Sequence, residues 1–249
     1  MSRGREEAAY GDDLGRKTVA EFLGTAFLLA AVVGSGIMGE RLADRNVAIA
    51  LLANSIATGA ALSVLILTFG TVSGAHFNPV VTLAEASQGG TAWRLVPAYL
   101  IAQLTGAMVG VAAANVMFGE PMFFVSHHAR AGIAQMFSEF VATFGLMAVI
   151  FGCSRRRTSA VPYAVGAYIA AAYWFTASTS FANPAVTIAR SASDTFAGIR
   201  PADVPGFIVA QLVGAAAATA LFAWLIPAPR RAASSEVSSL APATAADDG

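Results

Sequence analysis

Long apolar segments alternate with short polar segments along most of the chain. The apolar segments cover residues 19–38, 47–69, 93–118, 132–152, 160–177 and 204–226. Because a helix needs about 20 mainly apolar residues to cross a bilayer, this pattern predicts six transmembrane helices. The first segment is too long for the apolar region of a signal peptide and carries Glu21 near its start, so it is predicted to remain in the protein.

The composition excludes an ordinary soluble domain. Of the 249 residues, 56% are hydrophobic and 12% are charged, whereas a soluble domain carries about 25% charged residues. The formal net charge of zero gives no indication of a nucleic-acid partner. The single cysteine, Cys153, excludes an intramolecular disulfide and a thiolate metal cluster. We recognise no metal-ligand set and no pair of nucleophile and base in the apolar segments, so we expect neither a cofactor nor an enzyme.

Basic residues predict the orientation. With six spans, both chain ends lie on the same side as the link between the fourth and fifth spans, which contains Arg155, Arg156 and Arg157. Positive charge accumulates on the cytoplasmic side of a membrane, so we expect both termini to be cytoplasmic. The predicted parts are a cytoplasmic N-terminal segment (1–16), a membrane domain (17–226) and a cytoplasmic tail (227–249). The tail is rich in Ala, Ser and Pro, which predicts disorder.

Three pairs of short motifs recur in the same order in the two halves of the chain. Residues 20–22 match 138–140, residues 77–82 match 182–187, and residues 102–107 match 210–215, at separations of 118, 105 and 108 residues. This pattern predicts a duplicated unit of three helices, with repeat one at 17–118 and repeat two at 132–226. Since three is odd, the second copy enters the membrane from the opposite side, and the repeat is inverted.

Each repeat contains an Asn-Pro motif, Asn78-Pro79-Val80 in the first and Asn183-Pro184-Ala185 in the second. Asparagine is a strong helix N-cap and proline favours the first helical turn, so each motif predicts a helix start. Irregular backbone at membrane depth must be buried in protein or face a water-filled cavity. We expect two re-entrant half-helices whose positive ends meet at the midplane. Their asparagine amides would donate to neutral oxygen-bearing solutes, and the centre would repel cations.

The whole pattern resembles the major intrinsic protein family, the aquaporins and aquaglyceroporins, over about residues 17–226. The resemblance rests on residues 73–82, on Asn183-Pro184-Ala185, and on one glutamate and one glutamine in each repeat. It implies an all-α membrane protein with six transmembrane helices and two re-entrant half-helices, arranged as an hourglass bundle. It also implies a pore through each subunit and a homotetramer.

The resemblance also assigns roles to polar residues inside the spans. It implies that Glu21 and Glu139 accept hydrogen bonds from the backbone of the re-entrant loops, and that Gln103 and Gln211 do similar structural work. His76 lies just before the first motif and is expected to fix the loop or line the pore.

Four positions form the selectivity filter of the family, and their offsets from the two asparagines can be counted here without gaps. They are Thr58, Ala171, Ser180 and Val186. Water channels of the family usually have an aromatic ring at the first position and histidine at the second, and nearly all members have arginine at the fourth. Their replacement predicts a wide constriction without the five N–H donors of a guanidinium. The half-helix ends and the asparagine pair would then be the main barrier to protons and cations.

Arg190 follows Val186 by four residues and lies one turn further outward on the same helix face. Two interpretations are open. Arg190 supplies a displaced positive charge in the outer vestibule, or it forms an i, i+4 ion pair with Asp194.

These features predict a passive channel for small neutral solutes. Hydroxyl groups at Thr58 and Ser180 beside apolar Ala171 and Val186 suit glycerol, undissociated arsenite and small organoarsenicals, as well as water. Residues 183–190 resemble those of bacterial arsenic-resistance channels, which favours arsenicals and implies a bacterial inner membrane. The alternatives are a glycerol and water facilitator without a metalloid role, an ion-coupled transporter, which also uses broken helices, and an adhesion protein with a closed pore.

Overall fold

The computed structural model describes residues 3–226, with side chains from residue 13 onward. The helices are α1 (Arg3–Leu42), α2 (Val47–Ser73), α3 (Pro79–Ser87), α4 (Val96–Met117), α5 (Ile133–Ser154), α6 (Val161–Phe175), α7 (Pro184–Arg190) and α8 (Val204–Leu225). Short 3-10 turns precede α4, α6 and α8 at Trp93–Leu95, Thr158–Ala160 and Pro201–Asp203. The tail predicted to be disordered, 227–249, lies outside the described residues.

The six longer helices of the described chain form the bundle, in agreement with the predicted all-helical membrane fold. Five of them are long and apolar enough to cross a membrane, at Asp13–Leu42, Val47–Ser73, Trp93–Met117, Ile133–Ser154 and Pro201–Leu225. The predicted span at 160–177 forms the shorter helix α6, which has 15 residues and packs against α2 and α5. α1 is 40 residues long and begins at Arg3, so most of the predicted N-terminal segment is a continuation of the first helix.

The two repeats share one internal packing scheme. In repeat one α1 packs on α2 and α4, and in repeat two α5 packs on α6 and α8. The short helices α3 and α7, of nine and seven residues, connect the repeats, because α3 contacts α8 and α7 contacts α4. Neither is long enough to cross a bilayer, so these are the two predicted half-helices.

Glycines at matched positions allow the closest helix pairs to form. A Cβ added at Gly106 in α4 would overlap the backbone carbonyl of Phe22 in α1, and one added at Gly214 in α8 would lie 2.6 Å from the carbonyl oxygen of Phe140 in α5. Apolar side chains gain little by leaving lipid for protein, so such close backbone contact is the main source of helix association in a membrane.

Contacts between helix ends define two faces of the bundle. At one face, Arg41 near the end of α1 donates to the carbonyl of Phe118 just after α4, at 2.8 Å, and pairs with Glu120 at 2.7 Å. At the other face, Arg155 just after α5 donates to the carbonyl of Phe222 near the end of α8. The first is called the distal face below, and the second, where α8 ends, is called the terminal face.

Replacing Gly106 by alanine tests this packing. We expect Gly106→Ala to lower the free energy of unfolding by about 1–3 kcal/mol, because its Cβ overlaps backbone that cannot rotate away. The measurement is the thermal unfolding midpoint of the detergent-solubilised protein by circular dichroism. Gly70→Ala in α2 is the matched control, since an added Cβ there meets nothing within 4 Å. An equal fall at both positions would contradict the packing argument.

Candidate functional site

The two asparagines of the Asn-Pro motifs cap the half-helices that follow them. Asn78 has an extended backbone, and its side-chain oxygen accepts from the N–H of Val80 at 3.1 Å. Asn183 does the same for Ala185 at 3.0 Å and for Val186 at 3.3 Å. Each proline occupies the first helical turn, where its missing N–H is not needed. The sequence therefore starts both half-helices locally.

The same asparagines join the two repeats at the centre of the bundle. The side-chain amide of Asn78 donates to the carbonyl of Ala182 at 2.8 Å, and that of Asn183 donates to the carbonyl of Phe77 at 2.8 Å. Because an amide carries two N–H donors, this exchange uses one on each asparagine. Within the described residues the second N–H of each amide has no partner, and both asparagines line the cavity.

A buried glutamate holds each loop that leads to an Asn-Pro motif. Glu21 accepts from the hydroxyl of Ser73 at 2.7 Å and from the backbone N–H groups of His76 and Phe77 at 2.9 and 2.7 Å. Gln103 donates to the same carboxylate at 2.8 Å. These contacts pair polar groups of irregular backbone that lipid would leave unsatisfied.

Glu139 repeats the arrangement in the second half. It accepts from the hydroxyl of Ser178 at 2.6 Å, from the N–H groups of Phe181 and Ala182 at 2.9 Å each, and from Gln211 at 2.6 Å. Thr179, Ser180 and Ala182 have φ values of 60°, 50° and 47°. Such left-handed backbone is strained outside glycine, and the carboxylate holds it in place.

His76 has a different environment from its counterpart in repeat two. Its Nδ1 lies 3.1 Å from the hydroxyl oxygen of Thr82, and its ring packs edge-on against Tyr99 with centroids 5.4 Å apart. Thr82 also accepts from Gln103 at 2.8 Å. The separation of 105 residues between the motifs makes Phe181 the equivalent of His76, so the two loops present different rings to the pore.

A cavity of about 870 Å³ runs between the two faces and passes both asparagines. Near the terminal face it is lined by Asp13, Lys17 and Glu85, among others. Near the distal face the residues that line it include Thr58, Tyr173, Ser180, Val186 and Arg190. His76 also lines this cavity, together with residues of both half-helices.

Ala171, the filter residue predicted in α6, does not line the cavity. Ala171 is exposed on the outer surface of the helix, whereas Val165, Ile169 and Tyr173 face the cavity. Residues two apart on a helix point about 200° apart, so Ala171 and Tyr173 face opposite ways. The Tyr173 hydroxyl donates to the hydroxyl oxygen of Thr58 at 3.3 Å. The spacing of Val165, Ile169 and Tyr173, at i, i+4 and i+8, is the signal that could have identified this residue.

The other three predicted filter residues line the cavity at this level. Thr58 is 3% exposed and Val186 is 5% exposed. Ser180 is 3% exposed, and its hydroxyl has no hydrogen-bond partner within the described part of the chain. This part of the cavity therefore combines hydroxyl groups, one aromatic ring and the apolar Val186 side chain.

Arg190 does not form the predicted ion pair with Asp194. α7 ends at Arg190, so Asp194 is not one helical turn further on. Asp194 instead accepts from the backbone N–H of His127 at 2.8 Å and lies 3.0 Å from its Nδ1, and these contacts lower the pKa of the Asp194 carboxyl. Arg190 is 2% exposed, donates to the carbonyl of Ala197, and lies with its guanidinium carbon 3.4 Å from the centroid of the Phe181 ring.

Arg130 is a buried residue that sequence reasoning missed. It lies in the link between the repeats, where the sequence shows only a mixture of charges, and no local pattern marks it. Its side chain donates to the carbonyls of Gly198, Ser178 and Phe196 at 2.8, 3.2 and 3.4 Å and to the hydroxyl of Thr179 at 3.4 Å. Its guanidinium carbon lies 5.0 Å from the centroid of the Phe181 ring. Arg130 thereby joins the loop before α7 to the loop after it.

Two half-helices that meet inside an inverted repeat of six helices, beside a cavity lined from both faces, define a membrane channel. The family model described as "Major intrinsic protein" matches residues 11–178 and 155–248. The aquaglyceroporin AqpS of Rhizobium meliloti (strain 1021) is 55% identical over 218 residues, which cover 88% of this chain and 93% of that protein. The chain belongs to the major intrinsic protein family, whose members are channels and not enzymes.

More distant comparisons agree with this assignment. Aquaporin NIP1-3 of Oryza sativa subsp. japonica is 36% identical over 180 residues, which cover 70% of this chain and 62% of that protein. The X-ray structure of the aquaglyceroporin from Plasmodium falciparum has a TM-score of 0.66 at 22% identity, over 84% of this chain and 95% of that chain. This likeness shows that the two proteins share the fold.

Replacing Glu139 by glutamine tests its role as the anchor of the second loop. We expect Glu139→Gln to lower the free energy of unfolding by about 1–3 kcal/mol, because an amide NH₂ would face buried N–H donors that need an acceptor. The thermal unfolding midpoint in detergent is the measurement. Glu120→Gln breaks only a partly exposed ion pair with Arg41, which is worth at most about 1 kcal/mol, and is the matched control. Equal effects of the two changes would rule out this role.

Proposed function

We propose that this channel passes small neutral solutes larger than water, among them glycerol, undissociated arsenite and related organoarsenicals, as well as water itself. The observation that carries the proposal is Val186, which lines the cavity directly after the second Asn-Pro-Ala motif. A valine there is smaller than an arginine and offers no donors. The constriction is therefore wider and more apolar than a filter that carries a guanidinium.

The chemistry around Val186 suits solutes with hydroxyl groups on one side and an apolar surface on the other. The linked hydroxyls of Thr58 and Tyr173 can exchange hydrogen bonds with a solute, whereas the unpartnered hydroxyl of Ser180 is buried. Val186 supplies the apolar side. Glycerol and undissociated arsenite each carry three hydroxyl groups and no charge, so both match these groups. The Tyr173 ring makes this filter less open than the set with Ala171 that the sequence indicated.

The comparisons support glycerol as a transported solute. The transport of arsenicals is a further part of the proposal. The relative that is 55% identical is named an aquaglyceroporin. The preference for arsenicals rests on residues 183–190, which resemble a bacterial subgroup of arsenic-resistance channels. A glycerol and water facilitator without a metalloid role is the alternative, and solute uptake separates the two.

A passive channel explains the buried carboxylates better than an ion-coupled transporter does. Coupling needs an ionisable group that meets the transported solute and changes its protonation state. Glu21 and Glu139 each accept hydrogen bonds from four donors and are fully buried beside the loops. Among the described residues, the carboxylates that line the cavity, Asp13 and Glu85, lie near its terminal end.

We further propose that the protein is a homotetramer in a bacterial inner membrane, with both termini and the terminal face in the cytoplasm. Arg155, Arg156 and Arg157 follow α5 at the terminal face, and positive charge favours the cytoplasmic side. Large apolar side chains such as Phe27, Ile101 and Trp224 are exposed on the single chain. Lipid and neighbouring subunits would cover them.

Parallel uptake of water, glycerol and arsenite into vesicles that contain the purified protein tests the proposal. We expect all three permeabilities to exceed those of empty vesicles, and uptake to stop when the solute is equal on both sides. Stopped-flow light scattering measures water and glycerol, and elemental analysis of filtered vesicles measures arsenite. Glycerol without arsenite would favour the alternative facilitator. Accumulation against a gradient when a proton gradient is imposed would refute a passive channel.

Replacing Val186 by arginine tests the filter itself. We expect Val186→Arg to reduce glycerol and arsenite permeability at least about tenfold and water permeability less, because a long side chain narrows the path for the larger solutes first. Val186→Ala keeps the position small and is the matched control, with glycerol permeability preserved. Unchanged glycerol and arsenite permeability in the arginine variant would show that Val186 does not belong to the filter.

A further inference from the structure

Without the filter arginine, the constriction has no fixed positive charge that would exclude cations and protons from a channel of this width. A wide, water-filled constriction admits hydrated cations and chains of water unless a fixed positive charge opposes them. The half-helix ends supply only partial charges at the midplane. Val186 itself carries no charge. Another positive charge near the distal end of the cavity would therefore be needed to oppose cations and protons.

Arg190 is one such source. It lines the cavity with Val186 and Ser180, and its guanidinium lies against the Phe181 ring. The fold of the half-helix does not require a basic residue at this position, because the equivalent position of repeat one, 105 residues earlier, is Glu85 in α3. The two ends of the cavity therefore differ in charge at equivalent positions.

Arg130 brings a second guanidinium to the same ring. It is 9% exposed, comes from the link between the repeats, and is held by oxygens on both sides of α7. Cations within about 6 Å of an aromatic centroid are attracted to the face of the ring. Phe181 thus accommodates Arg130 and Arg190 together despite their mutual repulsion.

Neither charge is neutralised by an ion pair. Over the described residues, the ion pairs of the distal face are Arg41–Glu120, Arg200–Asp203 and His127–Asp194, and no carboxylate oxygen lies within 4.0 Å of a guanidinium nitrogen of Arg130 or Arg190. Asp203 accepts only from the backbone N–H of Arg130, at 2.8 Å. The carboxylate of Glu139, which faces the same loop, already accepts four hydrogen bonds. Buried charges without a direct counter-ion are costly, and the single negative charge of Glu139 offsets only part of the two positive charges.

A neighbouring histidine senses this field. Burial lowers the pKa of His128, and the positive charges of Arg130 and Arg190 lower it further, against the opposing charge of Asp194. His128 lies in the link between the repeats, two residues before Arg130, so its titration reports on the charges of the two arginines.

We propose that Arg130, Phe181 and Arg190 form a displaced charge filter that excludes protons and cations from the pore in place of the missing filter arginine. Arg190 acts from the wall of the cavity. Arg130 positions the Phe181 loop and adds its charge from outside the cavity lining. This inference rests on the proposed function, since a closed pore would need no barrier.

The test compares charge leak with neutral flux in the same vesicles. We expect Arg190→Gln and Arg130→Gln to raise proton and potassium permeability, relative to glycerol permeability, by at least about fivefold, the scale of one lost unit charge a few ångströms away. Arg190→Lys and Arg130→Lys keep the charge and should retain most of the barrier. A pH-sensitive dye inside the vesicles measures proton entry, and stopped-flow light scattering measures glycerol.

Arg41→Gln is the matched control. Arg41 also lies at the distal face and against a ring, Phe118 at 5.4 Å, but it has Glu120 as a partner and does not line the cavity. We expect its proton leak to equal that of the unchanged protein. If the unchanged protein passes glycerol and neither glutamine variant has a raised proton permeability, the charge filter is refuted. Failure of the unchanged protein to pass glycerol would overturn the proposed function, and the two failures are therefore distinguishable.

A second measurement does not depend on transport. The chain has three histidines, so NMR of labelled histidine can follow the titration of His128 in detergent. We expect the pKa of His128 to rise in Arg190→Gln and to stay unchanged in Arg190→Lys, because only the first removes a positive charge. An unchanged His128 pKa in a folded Arg190→Gln variant would refute the proposal. If the glutamine variants unfold, the lysine variants still decide, because a larger proton leak in both of them would refute it.

Discussion

Every backbone N–H and C=O group at membrane depth needs a partner, because lipid supplies none. The loops before the two Asn-Pro motifs contain irregular, partly left-handed backbone, and one buried carboxylate in each repeat satisfies it. Glu21 and Glu139 each accept four hydrogen bonds from their loop and from a glutamine. The half-helices, the asparagine contacts and the wall of the cavity all depend on these two side chains, which do not themselves line the cavity.

The centre of the cavity is symmetric, whereas its two ends are not. Asn78 and Asn183 each donate one amide N–H to the other loop at 2.8 Å, and both line the cavity. Away from this centre, equivalent positions carry different chemistry: His76 corresponds to Phe181, and Glu85 corresponds to Arg190. The duplicated fold thus supplies the same hydrogen-bond donor twice, and substitutions outside the motifs make the two entrances different.

Local patterns were sufficient for the fold and for the centre of the site. Apolar segments predicted the crossing helices, and Asn-Pro predicted the half-helix starts, because span length and N-capping are properties of short sequences. Features of the site that depend on tertiary structure were not predicted. Counting without gaps assigned Ala171 to the filter, although helix periodicity places Tyr173 there. The ion pair of Arg190 with Asp194 assumed a helix that continues, and α7 ends at Arg190. Arg130 reaches the site from a link whose course no local pattern determines.

In the family pattern that the sequence resembles, one arginine both narrows the filter and makes it positive. In our proposal the two properties are carried by different residues. Val186, Thr58 and Ser180 would determine the width and the hydrogen bonding of the constriction, whereas Arg130 and Arg190 place their charges against Phe181, beside it. Since charge acts over several ångströms and steric exclusion acts only on contact, a cation can move back from the wall and still repel cations. Separating the two properties in this way would allow the channel to accept larger neutral solutes while it keeps its positive potential.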